Sequence, residues 1–288
     1  MCVRGEGYRL SPLRKEFMYD FILVTPIYEG VTGATAWCVE KAHQSGLDFL
    51  WVVGTDGKGD ALIGRNRSIA ATSYMEHGAS DHMIFLDSDI VFEPWHLKQI
   101  NDDQKEGYDL IGGMYPLRNG EDWASYWWKG EGPSVMGIHE IQFLSTGFMG
   151  ISKKMLWKLA LEFKYPNGEA LPILHPNTDG MRSYPFFETR WTHIDVPDAH
   201  GTHDIWLSED WDFCEKARSV GIKPYCDTRV LLSHQAHTVC TPEQVMAYKS
   251  ARQAAIEKMQ VELKEKEEKI KDARTPDYVG ASVEGANA

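Results

Sequence analysis

Met83-Ile84-Phe85-Leu86-Asp87-Ser88-Asp89-Ile90-Val91-Phe92 follows the polar run Ser80-Asp81-His82. Four apolar residues in unbroken succession spell a short strand buried on both faces, the pattern of a parallel central strand. Two carboxylates come next, at i and i+2. Side chains two apart on an extended backbone point to the same side. Asp87 and Asp89 are therefore expected to converge at the strand's carboxyl end, where open α/β sheets place their ligands. Two hard oxygen donors on one face suit Mg²⁺ or Mn²⁺, with water and a substrate's phosphates completing the shell. The plainer alternative is a strand ending in a solvated turn, because Asp and Ser are ordinary turn residues.

Outward from this stretch the chain alternates strand and helix. Phe21 to Thr25 reads as a buried strand broken by Pro26, and Gly33 to Ser45 as a helix closed by Gly46. Phe49 to Val53 is a second strand, and Asn66 to His77 a second helix stopped by Gly78. Downstream, Pro94 opens a helix to Asp103, Tyr108 to Gly113 is a strand, and residues 114 to 138 form a loop. His139 to Phe143 is a strand, Ser152 caps a helix to Phe163, and Ser208 caps another that Gly221 ends. Val230 to His234 is the last strand. Residues 164 to 205 have no clear period, and a loop of that length in a compact domain is commonly a lid or binding loop.

This order predicts an α/β fold with a mixed, mostly parallel central sheet flanked by helices. The expected organisation is an arm over 1–20, one domain over 21–241, a long amphipathic helix over 242–274 and a disordered tail over 275–288. The helix stripe of Ile256, Met259, Leu263 and Ile270 is interrupted at Lys266 and Glu267. It can pair two copies into a homodimer or rest on the domain's own surface.

Composition narrows the function classes. The chain has 288 residues, 43% hydrophobic and 25% charged, as an ordinary globular protein does. No apolar run is long enough to span a bilayer. The five cysteines are odd in number, widely spaced and form no C-x-x-C pair. Together with an N-terminus lacking an apolar segment, they predict a cytoplasmic protein without a disulfide framework. A net charge of −12 disfavours nucleic acid as a partner. Gly54 to Gly59 is glycine-rich but lacks the pattern of a P-loop.

Six motifs stand in order along residues 20 to 237: Thr25-Pro26, Arg65-Asn66, Asp87-Ser88-Asp89, Ser145-Thr146-Gly147-Phe148-Met149, Ser208-Glu209-Asp210-Trp211-Asp212-Phe213 and Leu232-Ser233-His234. With these residues the chain resembles the GT-A superfamily of nucleotide-sugar-dependent glycosyltransferases. It looks most like the compact members of bacteriophages and large DNA viruses, distant relatives of fungal Golgi mannosyltransferases. The resemblance implies a GT-A fold and a sugar donor, with UDP-sugar favoured and GDP-sugar next. It makes Asp89 the direct metal ligand, Asp87 a contact to ribose or metal-bound water, and His234 the third ligand with His237 as its rival. Thr25, Pro26 and Tyr28 would border the nucleobase and ribose, with Gly147 in the same donor site.

Arg65 is a candidate for the diphosphate, because guanidinium pairs with phosphate through two parallel hydrogen bonds; it is equally an ordinary arginine in a helix's first turn. Glu209 and Asp210 at a helix start are stabilised by the dipole. In inverting members of the superfamily an acid here is the general base, which makes Asp210 the expected base and Glu209 an acceptor contact. Retaining relatives keep such residues for binding, so stereochemistry stays open. Trp127, Trp128 and Trp191, within the loop clusters Trp123 to Trp128 and Phe186 to Trp191, can stack on an acceptor sugar or simply pack the core. The expected activity is metal-dependent transfer of a sugar to an acceptor hydroxyl. A DNA glycosyltransferase acting on hydroxymethylated bases of a viral genome and a catalytically dead nucleotide-sugar-binding protein are the alternatives.

Overall fold

The computed structural model describes residues 19–54, 60–127, 132, 135–164, 173–174, 182–196, 201–235 and 239–273. Residues 1–18 of the expected arm over 1–20, the tail over 275–288 and His237 lie outside them. In chain order the elements are β1 (Phe21–Thr25), α1 (Gly33–Gln44), β2 (Phe49–Val53), α2 (Ile63–His77), β3 (His82–Leu86), β4 (Ile90–Val91), α3 (Pro94–Lys105) and β5 (Leu110–Met114). They continue with β6 (Ile138–Glu140), β7 (Phe148–Ser152), α4 (Lys153–Ala160), β8 (Ile173–Leu174), β9 (Arg182–Ser183), β10 (Arg190–Val196) and β11 (Gly201–Leu207). The last are α5 (Glu209–Ser219), β12 (Tyr225–Leu231), β13 (Ser233–Gln235), β14 (Val239–Cys240) and α6 (Pro242–Ala273).

Seven strands form the main sheet, in the order β2-β1-β3-β7-β5-β12-β6. Strands β2, β1, β3, β5 and β12 run one way, while β7 and β6 run against them. This is the expected mixed, mostly parallel α/β architecture. Burial along β3 explains its place: Met83 and Phe85 enter one core, Ile84 and Leu86 the other, and all four are fully buried. Each such side chain contributes roughly 1.5–3 kcal/mol, so a strand with both faces covered belongs inside the sheet. Helices α2, α4 and α5 contribute to the first core, α1 and α3 to the second. Local signals hold as read: Ser152 accepts from Met155 N at 3.1 Å, Pro94 opens α3, and Gly46 ends α1 with φ +86°.

Four expectations are corrected. Extended backbone stops at Leu86, and Asp87-Ser88-Asp89 is a turn between β3 and β4, so the strand argument that put both carboxylates on one side does not apply. Gly147 is followed at once by β7, a central antiparallel strand, where no strand was expected. Within 164–205, β10 and β11 pair as an antiparallel ribbon rather than a featureless loop. Over Met246–Val261, helix α6 does not bury the expected stripe on the domain: Val245 is buried, whereas every described side chain in that span is exposed, Ile256 and Met259 included, and Lys249 pairs with Asp122 at 2.7 Å. No helix among the described residues is long and apolar enough to cross a membrane.

One buried pair of acids lies between α3 and β12. Asp227, fully buried, is held by Arg229, while Asp103 accepts from Gln99 Nε2 at 2.8 Å. Burial raises the Asp103 carboxyl to about 6, and the neighbouring Asp227 carboxylate adds to the effect. A carboxyl whose folded pKa exceeds its unfolded value binds its proton more tightly when folded. The penalty is therefore absent below about pH 4, grows as pH rises and is complete above about pH 6. A shift of that size is worth ~3 kcal/mol at most. Asp103→Asn should raise stability at pH 7.5 by about 1–3 kcal/mol and leave it unchanged near pH 4. Denaturant melts at the two pH values check this, and equal midpoints at pH 7.5 would refute it.

Candidate functional site

The carboxyl ends of β1, β3, β5 and β12 meet on one edge of the sheet, and three backbone contacts bind their loops together. Thr32 N donates to Ser88 O at 2.9 Å, Asp87 N to Gly147 O at 3.0 Å and Gln235 N to Asp89 O at 2.8 Å. The loop after β1, the Asp-Ser-Asp turn, the entry to β7 and β13 thus surround one place. Helix α5 points its N-terminus at the same place, anchored by Trp211 stacked on Phe143 at 4.5 Å.

At the centre is Arg67, on α2, with 5% side-chain exposure. Its guanidinium donates to Asp87 Oδ1 at 2.7 Å and, from the other side, to Glu209 Oε1. Burial disfavours the guanidinium's charge, yet Asp87 and Glu209 outweigh it and hold its pKa above the usual arginine value. The first aspartate of the turn and the first acid of α5 are thereby joined by one cation. Asp210 lies beside them, accepting from Ser208 Oγ and, at 2.9 Å, from its neighbour Trp211 N. Ser208 spends its hydroxyl on Asp210 instead of capping the helix. Burial raises the Asp210 carboxyl, with Glu209 adding to it and Ser208 and Arg67 opposing. Tyr115 closes the floor. Burial pushes its phenol well up, with Asp87 and Asp210 reinforcing the shift, so it stays protonated.

The second aspartate belongs to a separate contact. The antiparallel pair β4–β13 sets His234 opposite Ile90 and brings its Nε2 to 3.2 Å from Asp89 Oδ2. His234 Nδ1 lies 2.9 Å from Pro116 O, a pure acceptor. That carbonyl takes the Nδ1–H and turns Nε2 toward Asp89, the arrangement that orients metal-binding histidines. Arg118 donates to both groups, from Nη2 to Asp89 and from Nε to His234 Nε2 at 3.4 Å. Burial would raise the Asp89 carboxyl, but His234 and Arg118 outweigh it and hold it below the usual carboxylate range.

A carboxylate and an imidazole lone pair sharing one guanidinium fit a divalent cation as two of its protein ligands, with Arg118 standing in for the ion. No group of three or more His, Cys, Asp or Glu side chains among the described residues could hold a metal, and Asp87 turns to Arg67 instead. Mg²⁺-type sites commonly use one or two carboxylates and take the remaining oxygens from water and phosphate. A two-ligand set of this kind leaves the remaining positions to water and to a substrate's phosphates.

The other expected residues divide. Thr25 is buried and accepts from Trp51 Nε1 at 2.9 Å, Pro26 is buried behind it, and Tyr28 is 67% exposed on the loop that follows. Arg65 donates twice to Asp60, at 2.6 and 2.8 Å, and is thus engaged by a carboxylate. Gly147 is explained by close approach: a Cβ there would lie 2.4 Å from the Tyr115 hydroxyl. Trp127 is a core residue with 7% exposure, so its faces are not offered to a ligand, and Phe186 and Phe187 are buried likewise. Trp128 lies outside the described residues. Trp191 is 65% exposed, and its cross-strand partner Trp206 is 68% exposed. This ribbon runs directly into Ser208, ahead of the helix that carries Glu209 and Asp210. Arg67, Arg118 and Tyr115 are the residues of the cluster that the sequence did not single out.

No family model matches the chain, and no curated protein does. Among solved structures it is similar to the crystal structure of A197 from STIV, with 14% identity and a TM-score of 0.50 over 78% of this chain and 91% of that one. A likeness at this identity shows a shared fold.

Arg67 can be tested by truncation. Removing one partner of a buried ion pair leaves uncompensated charge and costs about 3–5 kcal/mol. Arg67→Met should destabilise the chain by that order near neutral pH. The additional replacement of Asp87 and Glu209 by Asn and Gln should recover a large part of the loss. Urea melts of the wild type, Arg67→Met, the Asp87→Asn/Glu209→Gln double variant and the triple variant measure this, and additive losses would refute the bridge.

Proposed function

We propose that this chain transfers a sugar from a nucleoside-diphosphate sugar to an acceptor hydroxyl, with UDP-sugar as the favoured donor and GDP-sugar next. The observation that carries this is the meeting of the Asp-Ser-Asp turn and the Glu209-Asp210 helix start through Arg67 at the carboxyl edge of the sheet. The likeness to A197 from STIV bears on the fold alone.

On this reading the acceptor oxygen forms a bond to the anomeric carbon while the bond from that carbon to the diphosphate breaks, leaving the electron pair on the phosphate. Asp89 and His234 would hold Mn²⁺ or Mg²⁺, which when bound supplies Lewis-acid neutralisation of the departing diphosphate. Asp210 takes the acceptor's proton. Its raised pKa makes it a stronger base than an ordinary carboxylate. Arg67 keeps Asp87 and Glu209 in place and moderates their field on Asp210. Tyr28, exposed on the loop after β1, supplies an aromatic face for the base. Trp191 and Trp206 offer broad apolar faces to the acceptor beside the hydroxyl-binding pair His193 and Asp204, 2.8 Å apart.

Four outcomes are expected. A thermal-shift screen should find a UDP-sugar that stabilises the chain only with Mn²⁺ or Mg²⁺, with the shift lost in Asp89→Ala. Removing the metal with EDTA should slow transfer by roughly three orders of magnitude, since a Lewis acid contributes several kcal/mol. Asp210→Asn should keep the donor shift while kcat falls by about 10²–10⁴-fold; full activity in that variant would remove Asp210 as base. Trp206→Ala should raise the acceptor KM and leave donor binding untouched, and an unchanged acceptor KM would exclude the ribbon from the acceptor site.

A further inference from the structure

We propose that Arg118 is a tethered counter-cation: it neutralises Asp89 and His234 in the empty site, competes with the divalent metal for them, and is displaced when the metal binds. The inference rests on the metal-dependent reading above and adds to it a residue that sets metal affinity.

The two arginines of the site differ in their freedom. Arg67 is buried between two carboxylates of different elements and has nowhere to go. Arg118 reaches Asp89 and His234 from outside with a side chain that is 68% exposed, while those partners are 11% and 12% exposed. Its backbone is fixed. Leu117 N donates to Asp122 O at 2.7 Å, Gly120 N returns to Leu117 O at 2.9 Å with Gly120 at φ +69°, and Cys240 Sγ donates to Arg118 O at 3.2 Å. Motion is thus confined to a long, solvated side chain on a rigid turn.

A nearly buried carboxylate with an imidazole nitrogen 3.2 Å away leaves room for one cation that serves both. The Arg118 guanidinium takes that place by donating to both. The same two atoms are the ones a divalent ion would take, so both cations cannot be held at once. Rotation about the solvated stem releases the guanidinium to the rim of the site. There its planar fork matches a diphosphate through paired hydrogen bonds.

The test is Mn²⁺ alone, titrated calorimetrically into the full chain without nucleotide, for the wild type, Arg118→Ala, Arg118→Gln and Asp89→Ala. An exposed ion pair holds its partners only modestly, so both Arg118 variants should bind Mn²⁺ about three- to tenfold more tightly. Asp89→Ala should lose the binding. Arg118→Gln keeps most of the stem, and an unchanged circular dichroism melt establishes that each variant is folded. Unchanged or weaker Mn²⁺ binding in both Arg118 variants, with the wild type still dependent on Asp89, would overturn the competition and spare the metal reading. Equal binding in the wild type and Asp89→Ala would overturn the metal reading itself. If no variant binds Mn²⁺, and UDP stabilises the wild type but not Arg118→Ala, then Arg118 is the permanent cation and the proposal fails.

Discussion

The buried guanidinium of Arg67 is the contact on which the site depends. A charge that deep in a protein is tolerated only with counter-charges in direct contact. Here they come from positions 20 and 142 residues away, one in the turn leaving β3 and one in the first turn of α5. Each carboxylate in turn needs the cation, so the three elements are locked by mutual necessity. The same helix extends the lock. Ser68 Oγ accepts from Phe187 N at 3.0 Å, and Thr72 Oγ1 from Tyr184 N at 3.0 Å. Helix α2 therefore ties the sheet edge, the helix start and the segment leading to β10 into one rigid rim. Its Gly64 must stay small, because a Cβ there would lie 2.8 Å from Phe187 O.

Much of the architecture was legible because burial leaves a period. The runs Phe21–Val24 and Met83–Leu86 are uniformly apolar, as strands covered on both faces must be, whereas the equally apolar Phe49–Val53 is the edge strand, with Leu50 41% exposed. The aspartates show where this logic ends. A run of apolar residues says that the strand is buried, not how far extended backbone continues past it. The turn that follows was the plainer reading of Asp-Ser-Asp. Strand β7 was hidden because Ser145-Thr146-Gly147 reads as a turn and Phe148–Ser152 contains a glycine. That Gly150 is needed where a Cβ would meet Ile100 and Gln104 side chains at 2.8–3.1 Å. The ribbon β10–β11 escaped because its outward positions carry Trp191, His193, Trp206 and Asp204, a mixture that breaks apolar–polar alternation. Its inward positions include Thr192 and Ile205.

The arginines were missed for a different reason. Thirty basic residues are spread through the chain, and a lone arginine carries no motif. Arg67 nevertheless had a signal. It precedes Ala70, Ala71 and Tyr74 by three, four and seven residues, all of them buried, and so stands on the core-facing stripe of its helix. An arginine on such a stripe demands buried acids elsewhere in the chain. The acids at Asp87 and Glu209, each at the end of an apolar element, were the ones available. Arg118 offered no comparable signal, since its partners meet only through the pairing of β4 with β13.

Charge balance joins these pieces. Asp87, Asp89, Glu209 and Asp210 bring four acids to one edge of the sheet, against the guanidinium groups of Arg67 and Arg118. Both guanidinium groups are already committed to carboxylates, so the edge has an excess of negative charge before any substrate arrives. A diphosphate adds more of the same sign at close range, where two unit charges 4 Å apart interact by about 4 kcal/mol at an effective dielectric of 20. Repulsion of that size forbids binding unless another cation comes in or a carboxylate takes a proton. Asp210, whose burial already raises its pKa, is the acid most disposed to protonation, but a protonated base cannot accept the acceptor's proton. On the proposed chemistry the balance therefore has to come from a cation at Asp89 and His234, where the competing charge among the described residues, Arg118, sits on a solvated side chain.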